Sequence, residues 1–148
     1  MVLMEISTFG ALLAFAIDLE ERTAAFYESA ANMDGCTGVR DTLLEMAGQN
    51  RKRKGLLVST RQENITEMVL EPISDLHARD YMVETELSQS LDCPQVLAKA
   101  SELEQRAQRF YTDAGEKAKH LLAGVARTFA RLAREKGSRI HELKALTP

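Results

Sequence analysis

The stretch Ala16-Ile-Asp-Leu-Glu20-Glu-Arg-Thr-Ala-Ala-Phe-Tyr27 decides the reading of this chain, because it returns 84 residues later. The second copy is Ala100-Ser-Glu-Leu-Glu104-Gln-Arg-Ala-Gln-Arg-Phe-Tyr111. Alanine, leucine, glutamate, arginine, phenylalanine and tyrosine recur at matching places. Such spacing marks one supersecondary unit used twice. Each copy sets a stripe at helical period: Leu13, Ala16, Glu20, Thr23 and Tyr27 in the first, Leu97, Ala100, Glu104, Ala107 and Tyr111 in the second. That period belongs to a helix with one face on a core. In both copies a glutamate sits in the middle of that face.

Outward from these stretches the chain divides into four helices. Ser7 suits the N-cap of a first helix running to about Asn32, with Gly35 beyond it as a stop. A second helix spans about Thr37 to Asn64, although Gly48 and Gly55 weaken it. Residues 65–91 break the pattern: Pro72 and Asp80-Tyr81-Met82-Val83-Glu84 read as an extended connector that turns Tyr81 and Val83 inward. Asp92-Cys93-Pro94, a cap followed by an early proline, opens a third helix to about Lys119, and a fourth covers about Leu121 to Leu146. Hairpins at 7–64 and 92–146 with one long connection predict a single all-α domain. Its expected architecture is an antiparallel four-helix bundle with a crossover between helices 2 and 3.

Composition agrees and narrows the function classes. The 148 residues suffice for one core, and 8 glycines, 3 prolines, no tryptophan and 5% aromatics suit long helices better than a turn-rich β-fold. A net charge of −3 gives no basic field for nucleic acid. The run Arg51-Lys52-Arg53-Lys54 points in several directions around a helix, so it reads as a solvated face with one inward arginine. The longest apolar run, Phe9–Ile17, is about half a membrane span, and Glu5 before it argues against a secretory leader. Cys36 and Cys93 stand in no CxxC pair, which predicts neither a disulfide framework nor a thiolate metal site, and a reducing cytoplasm. Each opens a helix, where a thiol's pKa can fall, yet neither has a resolving cysteine nearby in sequence. Glu116 and His120, four apart at the end of helix 3, make a partial metal site without a third ligand. His77, and His141 beside Glu142, read as surface groups rather than ligands, and no phosphate loop or nucleophile elbow is present.

Helices 2 and 4 complete the inner faces. Their stripes are Val39, Leu43, Met46, Asn50, Arg53, Leu57 and Leu122, Val125, Phe129, Leu132, Lys136, Arg139, Leu143, Leu146. Every helix therefore places polar residues at mid-bundle: Glu20, Asn50 and Arg53, Glu104, Lys136 and Arg139. A lone buried charge costs several kcal/mol, so these groups must pair, hydrate or turn outward. Snorkelling of the long basic chains would explain one such residue; six matched positions weigh against it. Tyr27 and Tyr111 read as core aromatics whose hydroxyls need partners.

At these residues the sequence resembles the rubrerythrin-related branch of the ferritin-like superfamily. That family carries Ala-x-x-x-Glu with a tyrosine seven residues on, as in Ala16–Glu20–Tyr27 and Ala100–Glu104–Tyr111. The connector Ser74-Asp-Leu-His-Ala-Arg-Asp-Tyr-Met-Val-Glu84 is also similar to the segment before its third helix. The resemblance implies a di-iron site with one glutamate on helices 1 and 3 and Glu-x-x-His on helices 2 and 4. Here those four positions hold Asn50, Arg53, Lys136 and Arg139, so two expected ligands of six remain, Glu20 and Glu104. Arginine and lysine are not ligands at neutral pH. The expectation is therefore no metal and no cofactor, with Arg53, Lys136 and Arg139 forming a salt-bridge cluster around the glutamates and lowering their pKa values. Function then reads as non-catalytic association or regulation, through a homodimer or a protein partner, without nucleic acid or membrane. The alternative is a divergent di-iron oxidoreductase of peroxide or electron-transfer type, with iron on Glu20 and Glu104. A third reading is a metal-free enzyme using Glu20, Glu104, Tyr27 and Tyr111 as acid–base groups.

Overall fold

The computed structural model describes residues 5–63, 71–88 and 90–147. Its regular structure is helical, and four long helices dominate it. Helix α1, Phe9–Ala31, is capped by Thr8, whose hydroxyl accepts from the Ala11 amide at 3.1 Å. The cap falls one residue after Ser7 because the Ser7 carbonyl is already engaged, accepting from the Ile73 amide at 3.0 Å. A six-residue 3-10 helix, Asp34–Val39, takes the place of the expected first turn of helix 2, and α2 itself runs Arg40–Glu63. The expected end at Asn64 and connector residues 65–70 lie outside the described residues. Helix α3, Cys93–Ala118, starts at a reciprocal cap: the Asp92 carboxylate accepts from the Gln95 amide, and the Gln95 side chain accepts from the Asp92 amide, both at 2.9 Å. Helix α4 is Ala123–Leu146.

Helix α1 packs along α2, and α3 along α4. Two apolar clusters follow from the stripes. One gathers Phe9, Leu12, Leu13, Phe15, Phe110 and Phe129 with Tyr81 of the connector; the other gathers Phe26, Tyr27, Leu43, Met46, Leu97 and Leu143. Along every helix the polar stripe positions fall between the two clusters, so the charged residues form a layer with apolar packing on both sides. Phe110 anchors the first cluster, its ring centroid 4.9 Å from Phe15 and 5.3 Å from both Tyr81 and Tyr111.

The described connector residues 71–88 pack Leu76, Ala78 and Tyr81 against the helices. Ala78–Asp80 is a 3-10 turn where an extended stretch was expected from Asp80 on, closed by the Tyr81 amide bonding back to the Ala78 carbonyl. Tyr81 is buried and its hydroxyl donates to Asp113 Oδ2 at 2.7 Å, while Val83 is half-buried against the second cluster. Isolated antiparallel bridges tie Glu5 to His77 and Thr8 to Pro72. Among the described residues, no helix is long and apolar enough to cross a membrane.

The cysteines correct an expectation. Cys36 and Cys93 are joined in a disulfide, with Cα atoms 5.2 Å apart across a separation of 57 residues. The 3-10 turn after α1 carries Cys36 to the first residue of α3, a juxtaposition set by tertiary packing that local sequence spacing does not encode. The inference of a reducing compartment from unpaired thiols loses its basis.

Candidate functional site

The layer between the clusters is built on Lys136. Its side chain is fully buried on α4, with Nζ 3.0 Å from Glu20 Oε2 and 3.3 Å from Glu104 Oε2. One ammonium thus bridges the two glutamates of the repeat. Asn50 on α2 donates from Nδ2 to Glu20 Oε1 at 3.2 Å. Arg139, one turn beyond Lys136, donates from Nη1 to Glu104 Oε1 at 3.3 Å and to Asn50 Oδ1, and from Nη2 to the Met46 carbonyl at 3.2 Å and Gln49 Oε1 at 2.6 Å. Two carboxylates and two cations, Glu20 and Glu104 against Lys136 and Arg139, balance in charge.

The tyrosines cross between the repeats. Tyr27 of the first donates to Glu104 of the second at 2.8 Å, and Tyr111 of the second donates to Glu20 of the first at 3.1 Å. Each carboxylate therefore accepts from a hydroxyl and from an amide or guanidinium; the shared ammonium donates to Glu20 and pairs with Glu104 by charge. The Arg139 guanidinium also lies 5.3 Å from the Tyr27 ring centroid, within cation–π range.

Arg53 departs from the expected cluster. It points along the α2–α4 seam instead, donating from Nε to Glu135 Oε1 at 3.0 Å with its side chain 11% exposed. Glu135 on α4 supplies a carboxylate to Arg53, while Glu20 and Glu104 are already engaged by Lys136, Asn50, Arg139 and the tyrosines. Glu135 also accepts from Arg131 at 2.8 Å. Gln49 and Glu135 were invisible as partners because both flank the stripes rather than occupy them. A signal did exist: they stand 86 residues apart, the same offset that relates Asn50 to Lys136 and Arg53 to Arg139. Arg139 to Gln49 and Arg53 to Glu135 are thus equivalent contacts made in opposite directions across the seam. A cleft of about 510 Å³ lies over them, lined by Gln49, Arg53, Leu132 and Glu135 among others.

The electrostatics follow the geometry. Burial is the largest influence on Glu104 and pushes it up, but Lys136, Arg139 and the Tyr27 hydroxyl together outweigh it and hold the carboxyl below its ordinary value. Burial, and then the neighbouring glutamate charge, raise Tyr27 and Tyr111 well above a free phenol. The surface run behaves differently. Arg51 bridges Glu21 and Glu28 at 2.7 and 2.6 Å, and Lys54 meets Glu21 at 3.1 Å, all in solvent. His77 Nδ1 lies 3.3 Å from Glu5 Oε2, also exposed.

The residues present do not fit a di-iron centre. The two carboxylates face an ammonium and a guanidinium, which donate hydrogen bonds and offer no lone pair to a metal. Among the described residues, no group of three or more His, Cys, Asp or Glu side chains is placed to hold a metal ion. No protein-family model matches the sequence, and no curated protein matches it either.

Proposed function

We propose that the chain is a ferritin-like antiparallel bundle of the rubrerythrin-related type, with a crossover between α2 and α3, in which a buried ion cluster replaces the di-iron centre. In this reading Glu20, Asn50, Arg53, Glu104, Lys136 and Arg139 occupy the former ligand positions, and the protein works by association or regulation rather than by redox catalysis. The observation that carries it is Lys136 Nζ at 3.0 and 3.3 Å from the two glutamates, where a cation's charge meets both retained acids. The reciprocal tyrosine–glutamate bonds support the two-fold relation between the hairpins.

The experiment is metal analysis of protein purified after iron-supplemented expression. The expected result is iron far below one equivalent per chain. Stoichiometric iron held by Glu20 and Glu104 would sink the reading in favour of a peroxide or electron-transfer oxidoreductase. Restoring Asn50→Glu, Arg53→His, Lys136→Glu and Arg139→His together is expected to regain metal affinity, because it rebuilds the six-ligand pattern. Association is expected as a homodimer, and a monomeric mass by light scattering at micromolar concentration counts against that part.

A further inference from the structure

The Cys36–Cys93 bond stands apart from the ion cluster and raises its own chemistry. Cys36 is 1% exposed, whereas Cys93 is half-buried at the edge of the second apolar cluster. Both cysteines line an open cavity of about 190 Å³ with Gly35, Gly38 and Pro94. Gly35 and Gly38 contribute no side chain to that opening. Across residues 32–42, the turn from α1 into α2, Cys36 is the one buried residue. The disulfide is the covalent tie of this turn to α3. Met33 and Val39 of the same turn are only partly buried against the second cluster, so opening the bond loosens this turn first, while the long helices keep their fully buried contacts.

We propose that Cys36–Cys93 is a thiol–disulfide exchange site, attacked at Cys93 by a dithiol in the folded protein. A thiolate of the dithiol bonds to the Cys93 sulfur, the Cys36–Cys93 bond breaks, and Cys36 leaves as a thiolate that takes up a proton. The dithiol's second thiol then attacks the mixed disulfide, forming the dithiol's own disulfide and releasing Cys93, which is protonated in turn. The dithiol is oxidised and the cysteine pair is reduced by two electrons and two protons. Attack falls on Cys93 because the difference in burial leaves it the accessible partner. A stabilised thiolate at the helix start is not the cause: Asp92 already engages the Gln95 amide and Pro94 has none to offer. The proposal is independent of the cluster reading, since none of its residues belongs to the ion layer.

The test treats oxidised, folded protein with dithiothreitol, then alkylates it and weighs it. The expected result is two modified cysteines with helical content unchanged, and faster amide exchange confined to residues 33–42. Release of thiols only at the rate of global unfolding in denaturant would overturn the proposal, as would failure of the oxidised protein to contain the bond. The site of attack is tested separately with Cys36→Ser and Cys93→Ser. The free Cys93 of the first is expected to react with a chromogenic aryl disulfide at least about tenfold faster than the free Cys36 of the second, following exposure. Equal or reversed rates overturn attack at Cys93.

Discussion

Take away the Lys136 ammonium and Glu20 and Glu104 face each other at full burial with only Arg139 to neutralise them. Lys136→Met is therefore expected to lower unfolding free energy by roughly 3–5 kcal/mol, the usual cost of stranding a buried charge, measured by urea denaturation. Adding Glu20→Gln to that variant is expected to recover part of the loss, because the charge count is again balanced. Arg53→Leu provides the contrast. Its partner Glu135 keeps Arg131, the pair is partly solvated, and Arg53 Nη1 is a buried atom without a hydrogen-bond partner among the described residues. A change within about 1 kcal/mol is expected. Acid supplies a further check. Because Glu104 titrates lower in the folded chain than its ordinary 4.5, its contribution is complete above that value and drains away as pH falls through the folded one. Stability is thus expected to fall on acidification below about pH 4.5, and less steeply in Glu104→Gln. The phenols work in the opposite sense: Tyr27 and Tyr111 contribute fully below pH 10.0 and lose that contribution above it. Their ultraviolet ionisation signal is expected only with alkaline unfolding. The residues of this layer were legible as polar interruptions of apolar stripes. The direction of Arg53 was not, since a stripe says which face a side chain starts from and not which of two carboxylates it reaches.

Among the elements, helix existence followed from periodicity and the ends did not. The start of α3 was legible because Asp92 as a cap and Pro94 as an early proline both specify it, and the Gln95 side chain completes the cap in the structure. The first helix began one residue late, and the second was preceded by a 3-10 turn, because backbone bonds to the connector and within Asp34–Val39 decided those ends. Helix glycines offer an element-scale test. A methyl at Gly48 or Gly55 meets nothing within 4 Å, so Gly→Ala there is expected to stabilise by about 0.5–1 kcal/mol through backbone entropy alone. At Gly137 the same methyl would sit 2.7 Å from Gln108 Nε2, which donates to the Ala133 carbonyl across the α3–α4 contact. Gly137→Ala is expected to gain less than the other two in thermal melts, since the Gln108 amide must surrender that bond.

For the whole molecule, the two-copy organisation was written in the repeat, while the covalent tie between the copies was not, because cysteines 57 residues apart carry no local pairing signal. By the chain-entropy relation, a loop of that size restrains the unfolded chain by about 4 kcal/mol, so Cys36→Ser with Cys93→Ser is expected to lower stability by about that amount. The tie also changes what it means to cut this chain. Glu71, Ser74, Arg79 and Glu84 are exposed on the connector, between one bonded cysteine and the other. A protease that nicks there produces two polypeptides that remain a single covalent molecule. Such a nicked species is expected to migrate as one band without reductant and as two with it.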